Sequence, residues 1–90
     1  MNVNEILEER KGTHGSFEDN ASFMQPAKEL MRQSRNWNSL SNTQKEALEM
    51  IIHKIGRIVS GNANHKDHWD DIGGYAELEA KILHENNRTN

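Results

Sequence analysis

Four carboxylates in this chain have types and spacings that could do chemistry. Glu46 and Glu49 stand three residues apart in KEALEMIIHKIGRIVSG, so on a helix both could reach one hard cation, with His53 one turn further on. Asp67 and Asp71 stand four apart in HKDHWDDIGGYAEL, which places one directly above the other. An all-oxygen set suits magnesium or manganese. Zinc would need three or four convergent nitrogen or sulfur ligands, and the chain has no cysteine and no HExxH spacing. The bland alternative for Glu46, Glu49, His53 and Arg57 is a solvated helix face with charge pairs one turn apart.

Asp71 is the acid that solvent explains least well. At 100° per residue it falls in an apolar strip with Tyr75, Leu78 and Ile82, whereas Asp70 shares the polar side with Glu77 and Lys81. A carboxylate among packed apolar groups must be paired, hydrogen-bonded or metal-bound. The sequence therefore leads us to expect Asp71 buried and facing Glu49, or else held in a salt bridge by Lys54 or Arg57. His53, Lys54, Arg57 and Tyr75 are the candidate ligand contacts, Tyr75 because Gly73 and Gly74 leave room for a flat ligand beside it. His65, His68 and His84 are expected to face solvent at helix ends.

Helices must position these groups. One proline and no sustained apolar–polar alternation predict an all-α single domain over residues 1–90, a bundle of about four helices. The first runs from Asn4 to about Lys11 and ends at Gly12, and KGTHGSF reads as a turn. Ser16, with Asp19 three residues on, starts a second helix carrying Phe23, Ala27, Leu30 and Met31 on one face. Pro26 is expected to kink or break it near residues 22–25. Ser41 and Gln44 cap a third helix over 43–60 that stops at Gly61, and its broad apolar side makes it the spine.

The fourth helix covers 65–85, with Asn64 and Asp67 supplying cap and first-turn charge and a frayed tail at 86–90. The third and fourth helices are expected to pack antiparallel through Ile51, Ile55, Ile58, Ile72, Ala76 and Leu83.

Composition bounds the partners. Ninety residues, 33% hydrophobic, with a mean hydropathy of -0.97, make a marginal core, so a homodimer or higher homo-oligomer is expected. The strip of Tyr75, Leu78 and Ile82 also asks for a cover. A net charge of -3 with bases dispersed along the chain disfavours nucleic acid as a partner. No apolar run is long enough to span a bilayer, and the lack of cysteine and of a signal-peptide pattern point to the cytoplasm.

KEALEMIIHKIGRIVSG followed by DHWDDIGGYAEL resembles the paired-helix core of small phage and prophage proteins of unknown function, in which an ILEERKGTHGSF segment also recurs. This likeness runs over residues 4–83 and implies a host-cell cytoplasm. More distantly, the two helices resemble the all-α nucleoside triphosphate pyrophosphohydrolases, the MazG-like and dimeric dUTPase group. Those enzymes hold magnesium against a triphosphate with EExxE on one helix and ExxD on the next. Here KEALE keeps the second and third acids as Glu46 and Glu49 and has Lys45 at the first. HWDD keeps the last as Asp71 and has His68 where the glutamate would stand, with Asp67 one turn from Asp71 as a substitute.

Two functions follow as expectations. The first is magnesium-dependent nucleotide binding or cleavage around Glu46, Glu49, Asp67 and Asp71, by metal-assisted attack of water on a phosphate. The second is a non-enzymatic phage accessory protein that binds or inhibits a host protein.

Overall fold

A computed structural model describes residues 2–88, and every described element is helical. The helices are α1 (Val3–His14), α2 (Phe17–Gln33), α3 (Asn42–Ser60) and α4 (Lys66–Arg88), with one 3₁₀ turn, Trp37–Ser39, between α2 and α3. α4 thus continues through most of the stretch expected to fray; Thr89 and Asn90 lie outside the described residues. None of the helices is long and apolar enough to cross a membrane among the described residues.

Local chemistry fixes most of the boundaries. Ser41 and Gln44 form a reciprocal capping box at the start of α3, and Gly61 ends that helix. Ser16 accepts the Asp19 amide at the start of α2. Asn2 and Glu5 form a second reciprocal box at the start of α1. Two boundaries differ from expectation. α1 does not end at Gly12 but continues to His14, because Gly15 rather than Gly12 takes the positive φ that turns the chain, at +85°. Asn64 lies ahead of α4, and its amide is held by the Asn62 side chain.

Pro26 does not break α2. The proline is exposed, while Met24, only 5% exposed, packs on the opposite neighbour α3. That packing offsets the roughly 3 kcal/mol that an interior proline costs a helix.

α3 is the spine, packed most extensively against α4 and then α2. Arg32 meets Glu49 and Met24 meets Gly56, so α2 runs antiparallel to α3. Lys54 and Asp71 lie similarly far from the α3–α4 connection and meet, so that pair is an antiparallel hairpin. Gly56 makes the α2 contact possible: a Cβ there would lie 2.6 Å from the Met24 methyl.

The face of α4 that meets α3 departs from expectation. Ile72 is half-buried as foreseen, but Ala76 and Leu83 are exposed. The residues turned inward are His68, Ile72, Tyr75 and Glu79, along the seam between the strip of Tyr75, Leu78 and Ile82 and the expected contact line of Ile72, Ala76 and Leu83. Lys54 of α3 meets Asp71, which lies within the strip of Tyr75, Leu78 and Ile82, and this pairing draws α3 toward that strip and away from Ala76 and Leu83.

Candidate functional site

The most enclosed polar group in the protein is His68, 2% exposed, where the sequence suggested a solvent-facing ring. Its Nε2–H donates to the Thr13 carbonyl at 3.0 Å, and the Asn62 amide donates to the same oxygen at 3.0 Å. Thr13 is in the last turn of α1, where carbonyls lack partners within the helix, so these two donors from the α3–α4 end satisfy one of them. Asn20 does the same for the next carbonyl, donating to His14 at 2.7 Å and to Ser16 at 3.0 Å. Gly15 and Gly61 let the backbones touch. A Cβ on Gly15 would lie 2.6 Å from the Ser60 carbonyl oxygen, and one on Gly61 2.5 Å from the Gly15 nitrogen.

His14 and His65 join His68 in a cluster of imidazoles whose centroids are 4.7–6.2 Å apart. Burial first, then the charges of Arg57 and Arg10 and the other two rings, hold the His14 pKa down to about 4. The THGS segment is thus a joint binding α1 and α2 to the end of the hairpin.

Beside this joint, a groove of about 890 Å³ opens between α1, α2 and α3, lined among others by Arg10, His14, Phe17, Lys28, His53 and Arg57. Arg10, Lys28 and Arg57 make no ion pair among the described residues. His53 and Arg57 lie one turn apart on the same face of α3. The His53 pKa is lowered, first by burial and then by Lys28 and Arg57, with Glu49 opposing and Lys54 adding to the fall. Three acids line this groove, Glu8 on α1 and Glu18 and Asp19 in the first turn of α2, and Lys28 lies about 14 Å further along α2 than the latter two. Arg10, Lys11, Lys28 and Arg57 bring four fixed positive charges to the groove against these three carboxylates. Phe17, 87% exposed, stands at the lip.

The four expected metal ligands are placed apart. Asp71 is half exposed rather than buried, and it meets Lys54 at 2.9 Å instead of facing Glu49. The buried member of this pair is the lysine. Its hydrogen bond holds the Asp71 carboxyl below the usual carboxylate range. Glu49 pairs with Arg32 at 3.3 Å, Asp67 lies 3.7 Å from His65, and Glu46 is exposed. Among the described residues no three histidine, aspartate or glutamate side chains come together as a metal ion would require. Of the expected ligand contacts, His53 and Arg57 share the groove. Lys54 is committed to Asp71, and Tyr75 lines a separate shallow hollow with Asp70, Asp71, Gly74 and Leu78.

The Lys54–Asp71 pair carries a stability prediction. Asp71→Ala leaves a buried ammonium without its partner and should lower the melting temperature at pH 7 by several degrees. Lys54→Met combined with Asp71→Ala removes both charges and should recover most of that loss. Equal melting of the two variants would show that the pair does not hold the hairpin.

The fold and groove define a small all-α protein with a cation-lined cleft beside a histidine joint. Over residues 2–83 the chain matches the family described as Domain of unknown function (DUF6378), and it belongs to that family. No curated protein and no solved structure matches it.

Proposed function

We propose that this protein binds a nucleotide or a related phosphorylated small molecule in the groove between α1, α2 and α3. The observation that carries this reading is the gathering of Lys28, His53 and Arg57, with Arg10 nearby, around one cleft in which no carboxylate pairs with Arg10, Lys28 or Arg57. Arginine suits phosphate because its planar fork donates two parallel hydrogen bonds. The exposed Phe17 ring at the lip offers a plate on which a base could stack, which favours a nucleotide over a bare phosphate.

The choice of a triphosphate comes from the likeness of KEALE and HWDD to the MazG-like pyrophosphohydrolases, whose matching acids here, Glu46, Glu49 and Asp71, lie outside the groove. Magnesium would arrive as the counter-ion of that polyphosphate, since Asp71 and Glu49 are already held by Lys54 and Arg32.

Calorimetric titration with nucleoside triphosphates and with inorganic triphosphate, each with and without magnesium, tests the reading. Arg57→Ala should weaken nucleotide binding roughly ten- to a hundredfold, the value of one charge-assisted contact. The absence of binding at millimolar concentration, or an unchanged affinity in Arg57→Ala, would overturn it. Pyrophosphate appearing from a mixed nucleotide pool with magnesium would extend binding to hydrolysis; intact nucleotides would hold the function at binding.

A further inference from the structure

The protomer is too open to be a finished fold. Met24 is its one buried apolar side chain among the described residues. Its radius of gyration is 15.7 Å, against about 12 Å for a compact chain of this length. It exposes 6652 Å², about 1,250 Å² more than a monomer of 10.4 kDa is expected to show. A standard interface takes about 800 Å² from each partner, so the surplus is of the size that one stable dimer removes.

One face of α4 fits that role. Projected at 100° per residue, Trp69, Gly73, Ala76, Ala80 and Leu83 lie within about 80° of one another, a quarter-turn from the side that meets α3. All five are exposed, Trp69 by 56%. Gly73 stands in open space on this face, as Gly12 and Gly74 do elsewhere in the protomer. A glycine inside a helix costs roughly 0.8–1.0 kcal/mol relative to alanine, and at Gly56 the reason is visible in the methionine that fills its space. At Gly73 nothing in the protomer lies within 4 Å of where a Cβ would be.

We infer that this face of α4 packs against the same face of a second copy, antiparallel, with Ala76 near the two-fold axis. Trp69 of each copy then lies against Leu83 of the other, and Gly73 lets the partner helix come close. The charges on the flank choose the direction. Antiparallel pairing sets the same flank of each helix together and brings Asp70, held by Lys66 within the protomer, toward the partner's Lys81, whereas parallel pairing would turn that flank toward the partner's opposite flank, the side that meets α3. The contact is isologous, so it closes at two chains.

Sedimentation of the full chain at tens of micromolar should give twice the 10.4 kDa chain mass. Because the chain has no cysteine, single-cysteine variants report the geometry cleanly. Ala76→Cys should form a disulfide-linked dimer on mild oxidation, and Leu30→Cys, on an exposed apolar position of α2, should not. Ala76→Arg and Ala76→Glu should each lose the dimer and regain it when mixed. A monomeric wild type, or crosslinking through Leu30→Cys equal to or faster than through Ala76→Cys, would overturn the inference. So would charge variants of Ala76 that stay dimeric when alone.

Discussion

Gly15→Ala is expected to lose roughly 2–5 kcal/mol of folding stability, the sum of a backbone penalty and an overpacking penalty. Gly15 sits at φ 85° and ψ 171°, a region that is essentially reserved for glycine. Its new methyl would also lie 2.6 Å from the Ser60 carbonyl oxygen, an atom of main chain that cannot rotate away. A small domain has only about 5–15 kcal/mol in total, so this single methyl removes a large share. Urea unfolding followed by circular dichroism measures it. Gly12→Ala, three residues earlier, is the control: nothing lies within 4 Å of a Cβ there, and the helix should gain up to about 1 kcal/mol. Opposite signs at the two sites would show that the joint, not the helix, needs its glycine; equal stability of Gly15→Ala and wild type would remove the joint from the account.

The second large effect is acid sensitivity. His14 and His53 are both harder to protonate in the fold than in the unfolded chain, His14 down to about 4 against an ordinary 6.5. Above pH 6.5 both states hold these rings neutral and they contribute no pH dependence. As the pH falls below 6.5 the unfolded chain takes up protons that the folded chain refuses, so stability declines until the folded ring titrates near pH 4. Burial is the first cause at both rings, followed by Arg57, Arg10, His68 and His65 around His14, and by Lys28, Arg57 and Lys54 around His53, where Glu49 opposes them.

Asp71 acts in a separate window. Its carboxyl is depressed by Lys54, so its contribution is present above about pH 3.8 and is lost as the pH falls through its lower folded value. Melting temperatures between pH 7.5 and 4 should fall steadily, and His14→Gln should flatten the curve. A wild-type curve that is already flat across this range would show that His14 is not protected.

The sequence speaks clearly where cause and effect are neighbours. The Ser41–Gln44 box and the stop at Gly61 depend on a few adjacent residues and their types, and both were readable. Lys54 as an alternative partner for Asp71 was readable from the cost of burying charge, although which member would be buried was not. His68 could not be read, because its partner is a carbonyl 55 residues away, and carbonyls carry no signature in sequence. The helical wheel of α4 identified its apolar positions but not which of them α3 would cover, since that depends on where Lys54 finds its acid. The cationic groove was half visible. His53 and Arg57 share a helix face, while Lys28 and Arg10 reach them only through the antiparallel packing of α2 and the turn at Gly15.

That turn also sets an order of assembly. The α2–α3 and α3–α4 hairpins join neighbours in sequence, whereas the hydrogen bond from His68 to Thr13 closes a loop of 55 residues. Closing such a loop costs roughly 3.5 kcal/mol of chain entropy before any contact rewards it. Until the α3–α4 hairpin stands, the Thr13 carbonyl has no fixed donors to meet, so α1 is expected to dock after it during folding. By the same reasoning it is the first to leave, and it carries Arg10 away from the groove when it goes. On the binding reading proposed above, a ligand held between Arg10 and Arg57 would slow that departure.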